Sequence, residues 1–248
     1  MSLPLISVLV PTIDGREEHF ERCRAAYEGN AAGEYELDLV VARNEPTCGW
    51  GWQSAAERMH PSSGYVHFTC DDIEPLAGWA APAMGALDRR WLPAPRILNA
   101  QTGAPEMFPG WGVEWPDGTL AGMSCLPFIT RELWDKHVSP MLCSHYFTDN
   151  WITVRAEPAG YTARVVRAYA FRHHWAEHKR GAGMGYLERL RHDQGVFEEA
   201  VRMVQAGKWR EPWPPREVTT PGTDQDGGGP VPRLDGDNII KSWRYRGP

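Results

Sequence analysis

Three apolar stretches, Ile6–Val10, Leu37–Ala42 and Tyr65–Thr69, constrain what this chain can fold into more than any other feature. The first is a continuous apolar run without alternation, which marks a strand covered on both faces, as in a parallel sheet, and the second reads as another buried strand. Helical patterns separate them. Arg16 to Tyr27 carries Phe20, Cys23 and Tyr27 on one face, and Asp14 stands three residues before Glu17, a capping-box spacing. After a Gly/Trp loop, Gln53 to Met59 reads as a short helix. Strand, helix, strand, helix, strand is α/β organisation.

Downstream, Trp79 to Arg90 suits a helix with Pro82 in its first turn, and Arg96 to Ala100 suits a strand. Pro116-Asp117-Gly118 suits a tight turn between two short strands. Thr130 can cap a helix through His137, and Asp149 can cap one that runs to Ala159 and ends at Gly160. Thr162 to Phe171 is β-rich and leads into His173-His174. Gly185 to Gln205 is the clearest helix, with Leu187, Leu190, Phe197, Val201 and Val204 on one face and Gly207 as its stop. Pro212 to Pro232 is Pro/Gly-rich. The expected organisation is a domain over residues 1–182, a helical extension over 183–210 and a tail over 211–248.

With 42% apolar and 11% aromatic residues in 248, the chain can bury a full core. Lys+Arg 26 against Asp+Glu 32 gives a net charge of −6, which argues against non-specific nucleic-acid binding. The five cysteines are scattered, odd in number and without a C-x-x-C pair, so neither a zinc knuckle nor a disulfide framework is expected. No apolar run approaches the roughly 20 residues of a membrane span, and the N-terminus lacks a signal-peptide pattern. The expectation is a cytoplasmic protein.

Chemistry concentrates at strand ends. Asp71 and Asp72 follow a buried strand directly, and ligands of an open parallel sheet bind outside the carboxyl ends of its strands. Two adjacent carboxylates without a local cation repel each other unless a hard cation or a ligand compensates. The rival reading is an Asx turn or a helix cap before Pro75. Asp149 reads equally as an N-cap. His173 and His174, with His178 beyond, are imidazoles of the kind that bind metals, or surface groups.

In this order the segments resemble the GT-A glycosyltransferases, in particular the inverting glycosyltransferase family 2. The resemblance rests on Ile6–Thr12, Leu39–Asn44, Val66–Pro75 with Gly78-Trp79, Phe147–Trp151, Ala159–Tyr161 and His173, within residues 5–175. It implies a single-domain α/β fold, Rossmann-like and of the nucleotide-diphospho-sugar transferase kind, with a C-terminal helix and an extended tail. The family's D-x-D motif falls on Cys70-Asp71-Asp72, without the usual first acid. That makes Asp72 the implied metal ligand and Asp71 a ribose or metal-shell contact. The family's acid pair falls on Thr148-Asp149, which leaves Asp149 as the implied base. Pro11, Thr12, Asp14, Arg16, Arg43, Asn44, Asp71 and Asp72 are the expected nucleotide-sugar contacts, with Arg43 and Asn44 at the uracil and ribose.

These residue types suit that chemistry. A divalent ion held by Asp72 and an imidazole neutralises a departing diphosphate without proton transfer. His173 is preferred to His174 because strand parity aligns it with Tyr169 and Phe171, and Mn²⁺ is preferred to Mg²⁺ because it tolerates nitrogen ligands. Helix N-termini at Asp14 and near Trp52 would add backbone dipoles. Asp149 can take the acceptor's proton. Twelve tryptophans invite sugar stacking, and Trp111, Trp115 and Trp151 are the expected acceptor contacts. The expected donor is a UDP-sugar, and the acceptor a glycan, a lipid-linked group, a protein or a modified base. Two alternatives stand beside this: a metal-dependent hydrolase or nucleotidyltransferase built on Asp71, Asp72, His173, His174 and His178, and a carbohydrate-binding module.

Overall fold

β1 (Leu5–Thr12) runs through the middle of the molecule, because Ile6, Val8, Leu9 and Val10 have no exposed surface on either face. It pairs in parallel with β2 (Glu36–Arg43) on one side and β3 (Tyr65–Phe68) on the other. The computed structural model describes residues 2–105, 113–114, 120–121, 125–143, 148–174 and 186–208. Its largest sheet has the order β2-β1-β3-β8, with β8 (Phe128–Thr130) antiparallel to β3. All three parallel strands therefore direct their carboxyl ends the same way.

The crossover helices follow the expected order with two corrections. α1 (Glu17–Ala31) buries Phe20, Cys23 and Tyr27, as its periodicity requires. Its N-cap position, however, is Arg16, without a side-chain cap, and Glu17 accepts from the Gly15 N–H rather than closing a box with Asp14. α2 (Cys48–Ala56) starts five residues before the expected Gln53. Thr47 caps it, its Oγ1 accepting from the Trp50 N–H, and the glycines serve packing rather than a loop. A Cβ on Gly51 would lie 2.6 Å from the Pro11 Cβ, so its absence lets α2 close onto the end of β1. Trp52 is buried and donates its indole N–H to the Thr69 carbonyl at 2.8 Å.

A second sheet, order β4-β9-β5, comprises β4 (Ile73–Pro75), β5 (Trp91–Asn99) and β9 (Thr162–His173). β5 begins five residues earlier than Arg96. It lies at a sheet edge, where Pro93 and Pro95 are tolerated. Between β4 and β5, α3 (Ala80–Leu87) carries Pro82 in its first turn. β6 (Val113–Glu114) and β7 (Leu120–Ala121) pair antiparallel around the expected turn, which itself lies outside the described residues.

Thr130 caps α4 (Arg131–Leu133), accepting from the Leu133 N–H, and the turn widens into a π-turn over Trp134–Val138. α5 (Thr148–Ala156) starts at Thr148, which puts Asp149 inside the first turn rather than at the cap. Gly160, at φ 88, ends the short helical turn that follows. α6 (Tyr186–Gln205) joins the same hydrophobic core through Val196, Phe197 and Ala200, and Gly207, at φ 71, stops it. His67 is fully buried at the centre of that core. Its Nε2 lies 2.8 Å from Tyr27 Oη and its Nδ1 lies 3.1 Å from Tyr169 Oη, which joins β3, α1 and β9. No helix among the described residues is long and apolar enough to cross a membrane.

Candidate functional site

The carboxyl ends of β1 and β3 lie side by side, so the turn after β1 meets the residues after β3. Arg16, at the start of α1, bridges both acids. Its Nε donates to Asp71 Oδ2 at 2.8 Å, and its Nη2 donates to Asp71 Oδ1 at 2.6 Å and to Asp72 Oδ2 at 3.2 Å. Thr12 Oγ1 adds a bond to Asp71 Oδ2 at 2.7 Å. The expectation of two acids without a local cation is corrected here. The hydrogen bond to Asp71, backed by both negative charges, raises the Arg16 pKa despite partial burial.

β9 supplies the other wall. Ile73 pairs with His173, and the His174 N–H donates to the Asp72 carbonyl at 2.8 Å, so the end of β9 is clamped to the acid turn. His173 Nε2 then lies 3.7 Å from Asp72 Oδ2, with both side chains buried. Burial alone would raise the Asp72 pKa. The hydrogen bond and charge of His173, with the charge of Arg16, outweigh it and hold the carboxyl below the usual range. His174 turns to the other strand face, its Nε2 2.8 Å from Glu74 Oε1, so the structure places it away from Asp72. Cys70, where the resembling motif has an acid, hydrogen-bonds Cys48, and this contact together with burial keeps its thiol protonated.

Asn44, at φ 57, closes the second strand's end. Its N–H donates to the Thr12 carbonyl at 2.9 Å, and its Oδ1 accepts from the Asp14 N–H at 2.9 Å. It thus ties the β2 end to the β1–α1 turn, while the Asp14 side chain is exposed. Arg43 is stacked, its Cζ 5.0 Å from the Phe20 ring centroid. Pro11 is the seat of Gly51.

Asp149 shares a neighbourhood with β9. Its Oδ1 is buried and has no hydrogen-bond partner among the described residues, and burial pushes its pKa up to about 7. Its charge in turn adds to the burial that raises Cys125 and Tyr169. Trp151 corrects the acceptor assignment. It is 1% exposed, and its indole N–H donates to the Val138 carbonyl at 2.9 Å, so the ring belongs to the core. Trp111, Trp115 and His178 lie outside the described residues.

Among the described residues no three His, Cys, Asp or Glu side chains gather to hold a metal ion, so Asp72 and His173 could contribute two ligands and a substrate would have to supply the rest. One ionised carboxylate oxygen faces one imidazole nitrogen, a mixture Mn²⁺ accepts more readily than Mg²⁺. The feature hidden from the sequence reading was the ion pair of Arg16 with Asp71 and Asp72. Its signal lay in topology: once β1 and β3 are neighbours in parallel, the residues just beyond their ends must meet.

No family model matches the sequence, and no curated protein does. Solved structures match the fold. TarS of S. aureus superposes with a TM-score of 0.57 at 13% identity, over 81% of this chain and 40% of that one. GalNAc-T7, solved with UDP, GalNAc and Mn²⁺, gives 0.56 at 14% identity, over 84% of this chain and 50% of that one. A Drosophila β1,4-galactosyltransferase 7 catalytic domain in complex with xylobiose gives 0.51 at 11% identity, over 77% and 80%. The chain spans half or less of TarS and GalNAc-T7. At these identities the likeness concerns architecture: this chain has a GT-A-like fold.

Proposed function

We propose that the protein transfers a sugar from a nucleotide-diphospho-sugar, a UDP-sugar by preference, to an acceptor hydroxyl with inversion at the anomeric carbon. The observation that carries the reading is the meeting of Asp71, Asp72, Arg16 and His173 at the carboxyl ends of a parallel sheet. GalNAc-T7, of like fold, binds UDP and Mn²⁺, which supports the donor and the metal.

Asp72 and His173 would hold Mn²⁺, which when bound supplies positive charge to the departing diphosphate. Asp71, fixed by Thr12 and Arg16, is the contact for the nucleotide's ribose. Arg43 and Asn44, at the end of β2, form the edge on the base side. Asp149 accepts the proton of the acceptor hydroxyl as its oxygen bonds the anomeric carbon. The bond from that carbon to the diphosphate oxygen breaks, and its electron pair leaves with the nucleotide diphosphate. A carboxyl whose pKa lies near 7 suits the part, since it is a stronger base than an ordinary exposed acid and is still about half ionised at neutral pH. The acceptor belongs among glycans, lipid-linked groups, proteins and modified bases.

Calorimetry of UDP with Mn²⁺ tests the donor site. Wild type should bind, and Asp72→Asn should lose the metal-dependent part of the affinity. Equal binding by both proteins would move the site elsewhere.

A further inference from the structure

Arg16 holds the two carboxylates unequally. Asp71 receives two close bonds from the guanidinium and a third from Thr12, at 2.8, 2.6 and 2.7 Å. From the guanidinium Asp72 receives one, at 3.2 Å, on Oδ2. That oxygen is also the one 3.7 Å from His173 Nε2. A divalent ion taken up by Asp72 and His173 would therefore arrive beside a guanidinium that already neutralises its carboxylate. The three charged side chains are 18%, 5% and 7% exposed, so water screens the resulting repulsion poorly. Nor does the pair complete a coordination sphere: it offers one oxygen and one nitrogen of the roughly six positions Mn²⁺ fills in oxygen-rich sites.

We infer that Arg16 is a resident counterion that makes metal binding conditional on the nucleotide. Resting on the transferase reading above, this adds an order of events to it. Without nucleotide, Arg16 bridges Asp71 and Asp72 and keeps free Mn²⁺ from Asp72. A nucleoside diphosphate brings new negative charge and oxygen ligands to the same strand ends. Arg16 Nη2 then gives up its single long bond to Asp72 and turns to the diphosphate, pivoting on the bonds to Asp71. Asp72 and His173 would then hold the ion together with the diphosphate, which would supply the ligands the pair lacks. By linkage the coupling is reciprocal, so metal tightens nucleotide as much as nucleotide tightens metal. Arg16 is thus a positioning residue whose work shows in binding as well as in turnover.

The test is a Mn²⁺ titration followed by the electron paramagnetic resonance signal of the free ion, with and without UDP and corrected for Mn²⁺–UDP complexes in solution. Wild type, Arg16→Gln, Arg16→Lys and the double variant Arg16→Gln/Asp72→Asn are compared. UDP should raise the wild-type affinity for Mn²⁺ by about tenfold or more, within the usual range of coupling between sites. Arg16→Gln should bind Mn²⁺ about tenfold tighter than wild type without nucleotide, and UDP should add less. The double variant should lose that gain. Arg16→Lys, whose single ammonium cannot reproduce the fork across both acids, should fall between and serves if Arg16→Gln does not fold. Unchanged metal affinity in the Arg16 variants overturns the counterion role, and if UDP still tightens Mn²⁺ on wild type the donor reading survives alone. A gain in Arg16→Gln beside a wild type indifferent to UDP also overturns the inference, since Arg16 would then repel the ion without UDP relieving it.

Discussion

Asp149 is where a single carboxyl carries both a cost and a use. Burial raises its pKa from 3.8 to about 7, and its Oδ1 has no hydrogen-bond partner among the described residues, so the folded protein holds a proton that the unfolded chain has released. Between those two values the folded state binds more protons than the unfolded one, and stability falls as pH rises. Asp149→Asn should therefore melt higher than wild type at pH 8, by roughly 2–4 °C for each kcal/mol relieved. The same substitution should cost about 10²-fold or more in turnover with nucleotide affinity kept. Wild-type turnover should climb with pH through about 7 and then level off, and Asp149→Asn should flatten that climb. An Asp149→Asn protein with wild-type turnover would remove the base from the account. At this scale the sequence exposed Asp71, Asp72, Asp149 and His173, because acids and imidazoles at strand and helix ends stand out from apolar runs. It hid what each one touches. Arg16 reaches Asp71 across 55 positions, and Trp151 donates its indole N–H into the core, where no local pattern records the partner.

Elements set these side chains by close contact. α2 lies against the end of β1 because Gly51 has no side chain there, so Gly51→Ala should destabilise by about 1–3 kcal/mol. Thr47→Ala should cost about 1 kcal/mol by removing the helix cap. Denaturant midpoints with unchanged slopes would check both. The start of α2 was illegible from residue propensities because closely spaced glycines usually mark loops. β3, α1 and β9 meet at His67, whose pKa burial lowers to about 3. The unfolded chain takes up this proton near its usual 6.5 and the folded one does not, so stability is lost as pH falls from 6.5 towards 3. His67→Gln, polar without titrating, should show a smaller loss of melting temperature over that interval. An identical loss would mean that the acid sensitivity lies in the carboxylates.

For the whole molecule, the parallel strands β2, β1 and β3 bring their ends to one edge, and the β4-β9-β5 sheet closes that edge with His173. The strand–helix alternation of the first 75 residues made this architecture legible. The second sheet was harder to read, because its strands lie far apart in sequence and one carries two prolines at an edge. α6 packs into the same core through Val196, Phe197 and Ala200. The claim that this arrangement moves a sugar with inversion is tested most directly by proton NMR of UDP-sugars turned over with Mn²⁺, water serving as acceptor. The account predicts release of UDP with a sugar whose first-formed anomer is inverted relative to the donor, and release slowed about 10²-fold or more in Asp149→Asn and Asp72→Asn. A retained anomer, or release unaffected by either substitution, would contradict it.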